Sequence, residues 1–256
     1  MILILIILCI IGTPLFSVIA ASAMFGYASQ EIDLMAIVIE IIGISDMPFL
    51  SAIPLFTLSG YLLSESNAPK RLVALTDVFL GWMPSGLAIV SILACALFTA
   101  FTGASGVTII ALGAILYPAL KEDGYSDNFN LGLITTSGSL GLLFAPSLPL
   151  ILYGVIAEVS IDNLFKAGIL PGLMMILLLS FYSFSVNAKN FKSSKSFDLK
   201  KAFITLKECA WEIPLPFLVL GGIYSGFFAI SEAAALTALY VFIVEVVILK
   251  EIKFID

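Results

Sequence analysis

The chain contains no histidine, and that absence removes more chemistry than any other in its 256 residues. Without an imidazole there is no ordinary general base near neutral pH and no nitrogen ligand for a transition metal. Cysteine offers no substitute, because Cys9, Cys95 and Cys209 are scattered, in neither metal-ligand nor disulfide spacing. Charge is scarce as well: 12% of residues, 12 basic against 18 acidic, for a net −6. That acidic balance gives no footing for nucleic acid or an anionic lipid surface. What is present is apolar, with 61% hydrophobic residues and a mean hydropathy of +1.13. The solvent of such a chain is the lipid bilayer, and the fold class it implies is an all-α, polytopic membrane protein. A span needs roughly 20 residues, so the chain has room for about seven or eight spans or half-spans, with little left for any soluble domain.

The few basic residues give the orientation. Eleven of the twelve fall in four places: Lys70 and Arg71, Lys121, six lysines from Lys189 to Lys207, and Lys250 with Lys253. Placing those four in the cytoplasm leaves only Lys166 outside, a strongly one-sided bias. Glu31 to Asp46 carries four acids and no base, which suits the outer side as an amphipathic segment. Pro48 to Ser64 then runs inward, and Leu72 to Met83, with Asp77 and Trp82 among apolar residues, reads as a helix along the inner interface.

Phe101-Thr-Gly-Ala-Ser-Gly-Val-Thr108 interrupts the next apolar run with small and hydroxyl residues. Gly86 to Phe101 enters the membrane and Val107 to Ala119 leaves it. Thirteen residues of helix reach only roughly 20 Å, too short to cross. Lys70 and Lys121 therefore share a side only if the segment is a re-entrant hairpin with Thr102 to Gly106 at its tip. The block Leu131 to Ala157 is interrupted in turn at Phe144-Ala-Pro-Ser-Leu-Pro149, where two prolines open the helix. Gly168 to Val186 returns to the basic loop, Ile213 to Ala229 goes out, and Ala233 to Leu249 comes back. Ser231 is expected to cap that last helix, with Glu232 at its positive end. Glu245, about a turn from Lys250, is expected to snorkel to the inner interface, and Glu40 to lie in the outer segment, so none of these acids reads as a proton relay. Met1 to Ala23 has the length of a signal peptide but lacks a basic n-region, and Thr13-Pro14 splits it; a bent span or a helical pair is the expectation.

Interrupted helices expose backbone groups that lipid cannot satisfy, so they line protein or a water-filled cavity. Carbonyls at the tip, with the Thr102 and Ser105 hydroxyls, supply neutral oxygens for a hard monovalent cation, and the outgoing helix N-terminus favours a carboxylate. The second break adds carbonyls near Phe144 and Ala145 and the hydroxyls of Ser137, Ser139 and Ser147. Close helix packing is the competing use of the same glycines and serines. An enzyme is excluded on chemistry: Gly103-Ala-Ser-Gly106 matches the pattern around the nucleophile of intramembrane serine proteases, but no base accompanies Ser105.

Taken in order, several blocks resemble the large membrane subunit of tripartite ATP-independent periplasmic (TRAP) transporters. They are Pro48-Phe-Leu-Ser-Ala-Ile-Pro-Leu-Phe56, Ala96 to Thr108, Gly138-Ser-Leu-Gly141 with Ala145-Pro-Ser-Leu-Pro149, Ala167 to Gly172, and Gly221-Gly-Ile-Tyr224 with Ser231 to Ala235. The resemblance implies an elevator-type transporter of organic acids in the bacterial inner membrane, driven by sodium ions. It also implies two partners, a periplasmic substrate-binding protein and a small four-helix membrane subunit. It puts Gly103, Ser105, Gly138 and the Pro146-Ser147 break where the family holds sodium and faces substrate. Together with the oxygens of the two breaks, this gives sodium expected at Thr102, Gly103, Ser105, Gly138, Ser139 and Ala145, and substrate against Ser105, Gly106, Thr108, Pro146 and Ser147. Scaffold spans would occupy 1–66, an interfacial arm 67–85 and a transport module 86–166. Residues 167–256 would hold further scaffold spans, a basic loop at 187–208 and the start of a second inverted repeat. Because the chain stops before that repeat's hairpin, it is expected not to transport alone, and a second chain would supply the missing repeat. A binding-protein-independent sodium/anion transporter and a non-transporting membrane scaffold remain the alternatives.

Overall fold

A computed structural model describes residues 7–47, 49–83, 85–187 and 198–252. Pro48, the lysines Lys189, Lys192 and Lys195 of the basic loop, and Lys253 lie outside the described residues. The chain divides into two units, Met1–Leu50 and Ser51–Asp256.

In the first unit a helical turn at 7–10 is followed by Gly12 with φ +91° and by Pro14, and α1 then runs Leu15–Ser29. The interruption falls at the Thr13-Pro14 step. α2 is Met35–Ser45. It is not the amphipathic segment expected: Val38, Ile39, Ile41 and Ile42 are all exposed and nearly ring the helix, leaving Glu40 as its one charge. An all-round apolar surface suits lipid rather than an interface.

The second unit holds ten helices among the described residues. α3 is Ala52–Glu65 and α4 Ala68–Leu80. α5, Gly86–Thr102, and α6, Ser105–Glu122, flank the first break. α7, Asp127–Leu140, a 3-10 turn at Gly141–Leu143 and α8, Leu148–Ile156, make up the second, bent by 47°. α9, Ile161–Asn187, α10, Leu199–Glu208, α11, Pro214–Tyr224, and α12, Ile230–Ile248, complete the unit. Three of these helices (α6, α9 and α12) are long and apolar enough to cross a membrane, and the bent α7–α8 pair makes a fourth candidate.

The chain doubles back between α5 and α6. Thr99 and Thr108 bring their hydroxyls within 2.7 Å, whereas nine residues of continuous helix would separate them by about 13.5 Å. At the open end, Leu87 of α5 and Ala119 and Glu122 of α6 line one cavity of about 450 Å³ together with Lys70 and Val73 of α4. Leu112, Leu116 and Leu120 are fully buried on successive turns of α6, and they join Ile92 and Phe98 of α5 and Leu133 and Ile134 of α7 in the core. Between apolar helices in lipid this core stabilises by close packing rather than by removal from water.

Four expectations about helix bounds and capping are corrected. The outgoing arm has 18 residues, not thirteen, because Pro118 does not end it and the helix continues through Lys121 and Glu122. Length alone therefore permits α6 to cross, and the hairpin rests on its doubled-back geometry. α11 is only an eleven-residue helix with a π turn over Phe217–Gly221, short of the span read over Ile213 to Ala229. α12 begins at Ile230, so Ser231 lies inside its first turn, and it is the Glu232 carboxylate that caps, accepting the Ala229 N–H at 2.9 Å. The arm helix spans Ala68–Leu80 rather than Leu72 to Met83; Pro69 suits its first turn, and Ala68, Leu72 and Thr76 form its buried stripe.

The basic stretches converge at one end of this unit. Lys70 lines the cavity at the open end of the hairpin, Arg71 meets Glu212 and Glu251, and Cys209 Sγ donates to the Arg71 carbonyl at 3.2 Å. Convergence at one end is what a common cytoplasmic side requires. Single cysteines at Lys70 and Lys121, in a chain carrying Cys9→Ser, are expected to react with an impermeant thiol reagent from the same face of the membrane. Labelling from opposite faces would mean that α6 crosses.

Candidate functional site

The two interruptions meet. α5 ends on Gly103, whose φ of +64° is the left-handed cap that glycine adopts without strain. A Cβ there would lie 2.9 Å from Leu148 Cγ and 3.6 Å from the Pro146 carbonyl oxygen, so the hairpin tip rests on the break of the second segment. Behind the tip, a Cβ on Gly60 of α3 would sit 2.5 Å from Thr102 Cα, which makes Gly60 the seat of the hairpin. Gly141 approaches the backbone of α5 at Ala96 and Ala100, and Gly168 of α9 lies against the Leu143 carbonyl. Both breaks are held by glycine contacts to main chain.

Between them lies a compact set of oxygens. Thr99 Oγ1 is 2.9 Å from the Gly138 carbonyl and 2.7 Å from Thr108 Oγ1. Thr102 Oγ1 is 3.3 Å from Thr108 Oγ1, and the Ala104 carbonyl lies 3.4 Å from Thr108 Oγ1 and 3.5 Å from Thr102 Oγ1. All three threonines are buried, at 0–2% exposure. Three hydroxyl protons face two carbonyls and one another, so the cluster satisfies itself with neutral groups alone. Beside Gly138, the Ser137 hydroxyl is fully buried and has no hydrogen-bond partner. Neutral oxygens gathered in this way fit coordination of a small hard cation. Ala104 is extended, and α6 then begins at Ser105, leaving the amides of its first turn as the positive end of a helix.

The expected residues therefore divide. Thr102, Gly103, Thr108, Gly138 and Pro146 come together at the meeting of the breaks, and Ser105 lies beside Gly138, its carbonyl 3.6 Å from where a Cβ would stand. Ala145 is buried in the second break. Ser139 is not part of this group: it is exposed, and its hydroxyl donates back to the Thr135 carbonyl at 3.4 Å. Gly106 is exposed with open space around it. The Ser147 hydroxyl is buried but faces its own helix, accepting the Leu150 N–H at 3.4 Å as the cap of α8. Thr99 was missed. Its signal was present, since it precedes Thr102 by three residues and so shares a helix face with it.

Glu245 also departs from expectation. It is 1% exposed and does not snorkel; Arg71 of α4 reaches it at 3.3 Å, while Lys250 is exposed. Among the described residues no group of three or more His, Cys, Asp or Glu is placed to hold a metal ion.

A polytopic helical membrane protein with a doubled-back hairpin seated on a broken helix belongs to the class of membrane transport subunits. Within that class the chain belongs to the DctM component of tripartite ATP-independent periplasmic transporters, whose family model matches residues 2–256. It is similar to the C4-dicarboxylate TRAP transporter large permease protein of Rhodobacter capsulatus, at 34% identity over 80% of this chain and 50% of that protein. The isethionate TRAP transporter permease protein of Oleidesulfovibrio alaskensis is 33% identical over 95% of this chain and 39% of its own length. The ectoine/5-hydroxyectoine large permease protein of Ruegeria pomeroyi is 30% identical over 98% and 60% respectively. The chain thus spans about half the length of the curated relatives it matches.

Proposed function

We propose that this chain is a subunit of a sodium-coupled secondary transporter in the bacterial inner membrane, taking up organic acids. A periplasmic binding protein would deliver the acid, and a small four-helix membrane subunit would complete the assembly. The observation that carries this reading is the contact of the two breaks around the buried oxygens of Thr99, Thr102, Thr108, Ala104 and Gly138. Sodium held there replaces hydrogen bonds that now run within the cluster. The N-terminus of α6 lies at the same tip and offers its amides to a carboxylate. Sodium then favours the anion by ordering the tip they share, which is coupling through differential affinity for loaded and empty states. The names of several relatives support a cargo with an acid group: C4-dicarboxylate, isethionate and 2,3-diketo-L-gulonate are organic anions, and ectoine is a zwitterion that carries a carboxylate. In an elevator, residues 86–166 would move against α3, with Gly60 at the sliding contact.

The test is uptake of a C4-dicarboxylate by proteoliposomes that hold the assembled transporter containing this chain. Uptake is expected to need an inward sodium gradient, to fail with potassium, and to need the binding protein. Thr102→Val, which removes one of the clustered hydroxyls, is expected to weaken the dependence on sodium by several-fold. Equal uptake with and without sodium would sink the coupling.

A further inference from the structure

Arg71 is the only basic residue of the second unit paired with buried acids among the described residues, and it is outnumbered. Its Nε meets Glu212 in the turn between α10 and α11, its Nη1 meets Glu251 beyond α12, and its Nη2 lies 3.3 Å from Glu245 within α12. Lys250 makes this possible. It takes φ +53°, a left-handed turn that returns the Glu251 N–H to the Glu245 carbonyl at 2.9 Å and brings the Glu251 side chain back to α4. With all three carboxylates ionised, the cluster would hold two uncompensated negative charges. Glu212 is 2% exposed and Glu245 1%, so water does not screen them.

Among the described residues no neighbouring group supplies the missing positive charge. Glu251 is served by Arg71 and by the Asn67 N–H at 2.6 Å. The Tyr240 hydroxyl of α12 donates to the Trp211 carbonyl, and the Cys209 thiol to the Arg71 carbonyl, so neither gives its proton to an acid. Glu208 at the end of α10 is exposed and adds negative charge, and no described lysine pairs with these carboxylates. The deficit falls on Glu212 and Glu245. Glu212 Oε2 is buried with no hydrogen-bond partner, a position that an ionised oxygen occupies only at high cost.

We propose that the Arg71–Glu212–Glu245–Glu251 cluster is a proton-binding site, holding a proton among its buried carboxylates and loosening the joint of α4, α12 and the α10–α11 turn when that proton leaves. Burial pushes the Glu212 carboxyl above the usual glutamate range, against the opposing pull of Arg71. A carboxyl raised in the folded state contributes stability that is complete below its unfolded value and is lost as pH rises through the folded one.

The experiment is infrared spectroscopy of the purified chain in lipid nanodiscs, with a thermal unfolding series across about pH 5 to pH 9. A protonated-carboxyl band is expected at the low end of that range, and the midpoint is expected to fall by about 3 °C or more toward pH 9. Glu212→Gln with Glu245→Gln should remove the band and flatten the pH series, because each amide imitates the neutral acid and keeps the fold. No band in the wild type, a band persisting in the double variant, or a band abolished by added sodium would each overturn the proposal, the last by assigning the site to a metal cation.

Discussion

Valine at Gly141 is expected to lower the stability of the folded chain by about 3 kcal/mol or more, the upper end of what overpacking costs in a close-packed interior. A Cβ at that position would stand 2.4 Å from Thr99 Cβ, 2.5 Å from the Ala96 carbonyl and 2.6 Å from the Ala100 amide. Two of those three atoms are backbone of α5, so no rotamer change relieves the clash. The break between α7 and α8 would be driven away from the hairpin, and the oxygen cluster would lose Gly138 as a partner. Gly132→Ala, in the preceding helix α7, is the matched control. It has nothing within 4 Å, and alanine should hold or raise stability by up to about 1 kcal/mol through helix propensity. Unfolding titrations of both variants in mixed micelles decide the matter. A valine variant as stable as the alanine one would show that Gly141 does not pack against the backbone of α5.

That contrast also explains what a reader of the sequence could and could not see. The interruptions at Gly103-Ala104 and near Pro146 were legible, because glycine, hydroxyl residues and proline inside apolar runs have few other meanings in lipid. Convergence of the basic stretches at one end was legible from the one-sided charge. What each glycine does was not. Gly132, Gly138 and Gly141 lie on one helical stretch, yet one faces open space, one Ile109 and one the backbone of α5, and only tertiary packing assigns them. The serines misled for a related reason. Ser139 and Ser147 spend their hydroxyls on their own helices, the usual local competition for a short polar side chain, while the threonines of the hairpin bond across segments. Glu245 was misread because its nearest lysine in sequence sits on a left-handed turn that carries it to the surface, and the true partner, Arg71, is 174 residues away. Local spacing cannot report an ion pair closed by the fold.

Thr99→Val should separate pinning from binding at the hairpin tip. Valine keeps the β-branched shape, and with it the helical rotamer preference, but removes the hydroxyl that holds the Gly138 carbonyl at 2.9 Å and meets Thr108 at 2.7 Å. The stranded carbonyl is buried, so a loss of about 1–3 kcal/mol in stability follows whatever the site binds. If the cluster coordinates sodium, a second effect comes with it. The stabilisation that sodium gives over potassium grows with occupancy of the folded state, and removing one of five oxygens should raise the sodium concentration needed for half of that effect by about tenfold or more. Thr99→Ser discriminates between the two effects: it gives up a methyl, at about 0.8 kcal/mol, but keeps the oxygen and so keeps the sodium response. Melting curves of the assembled transporter in sodium and in potassium therefore read both quantities at once. A valine variant that melts lower yet retains the full difference between the two salts would leave Thr99 as a structural pin and remove the hairpin tip as the place where sodium acts.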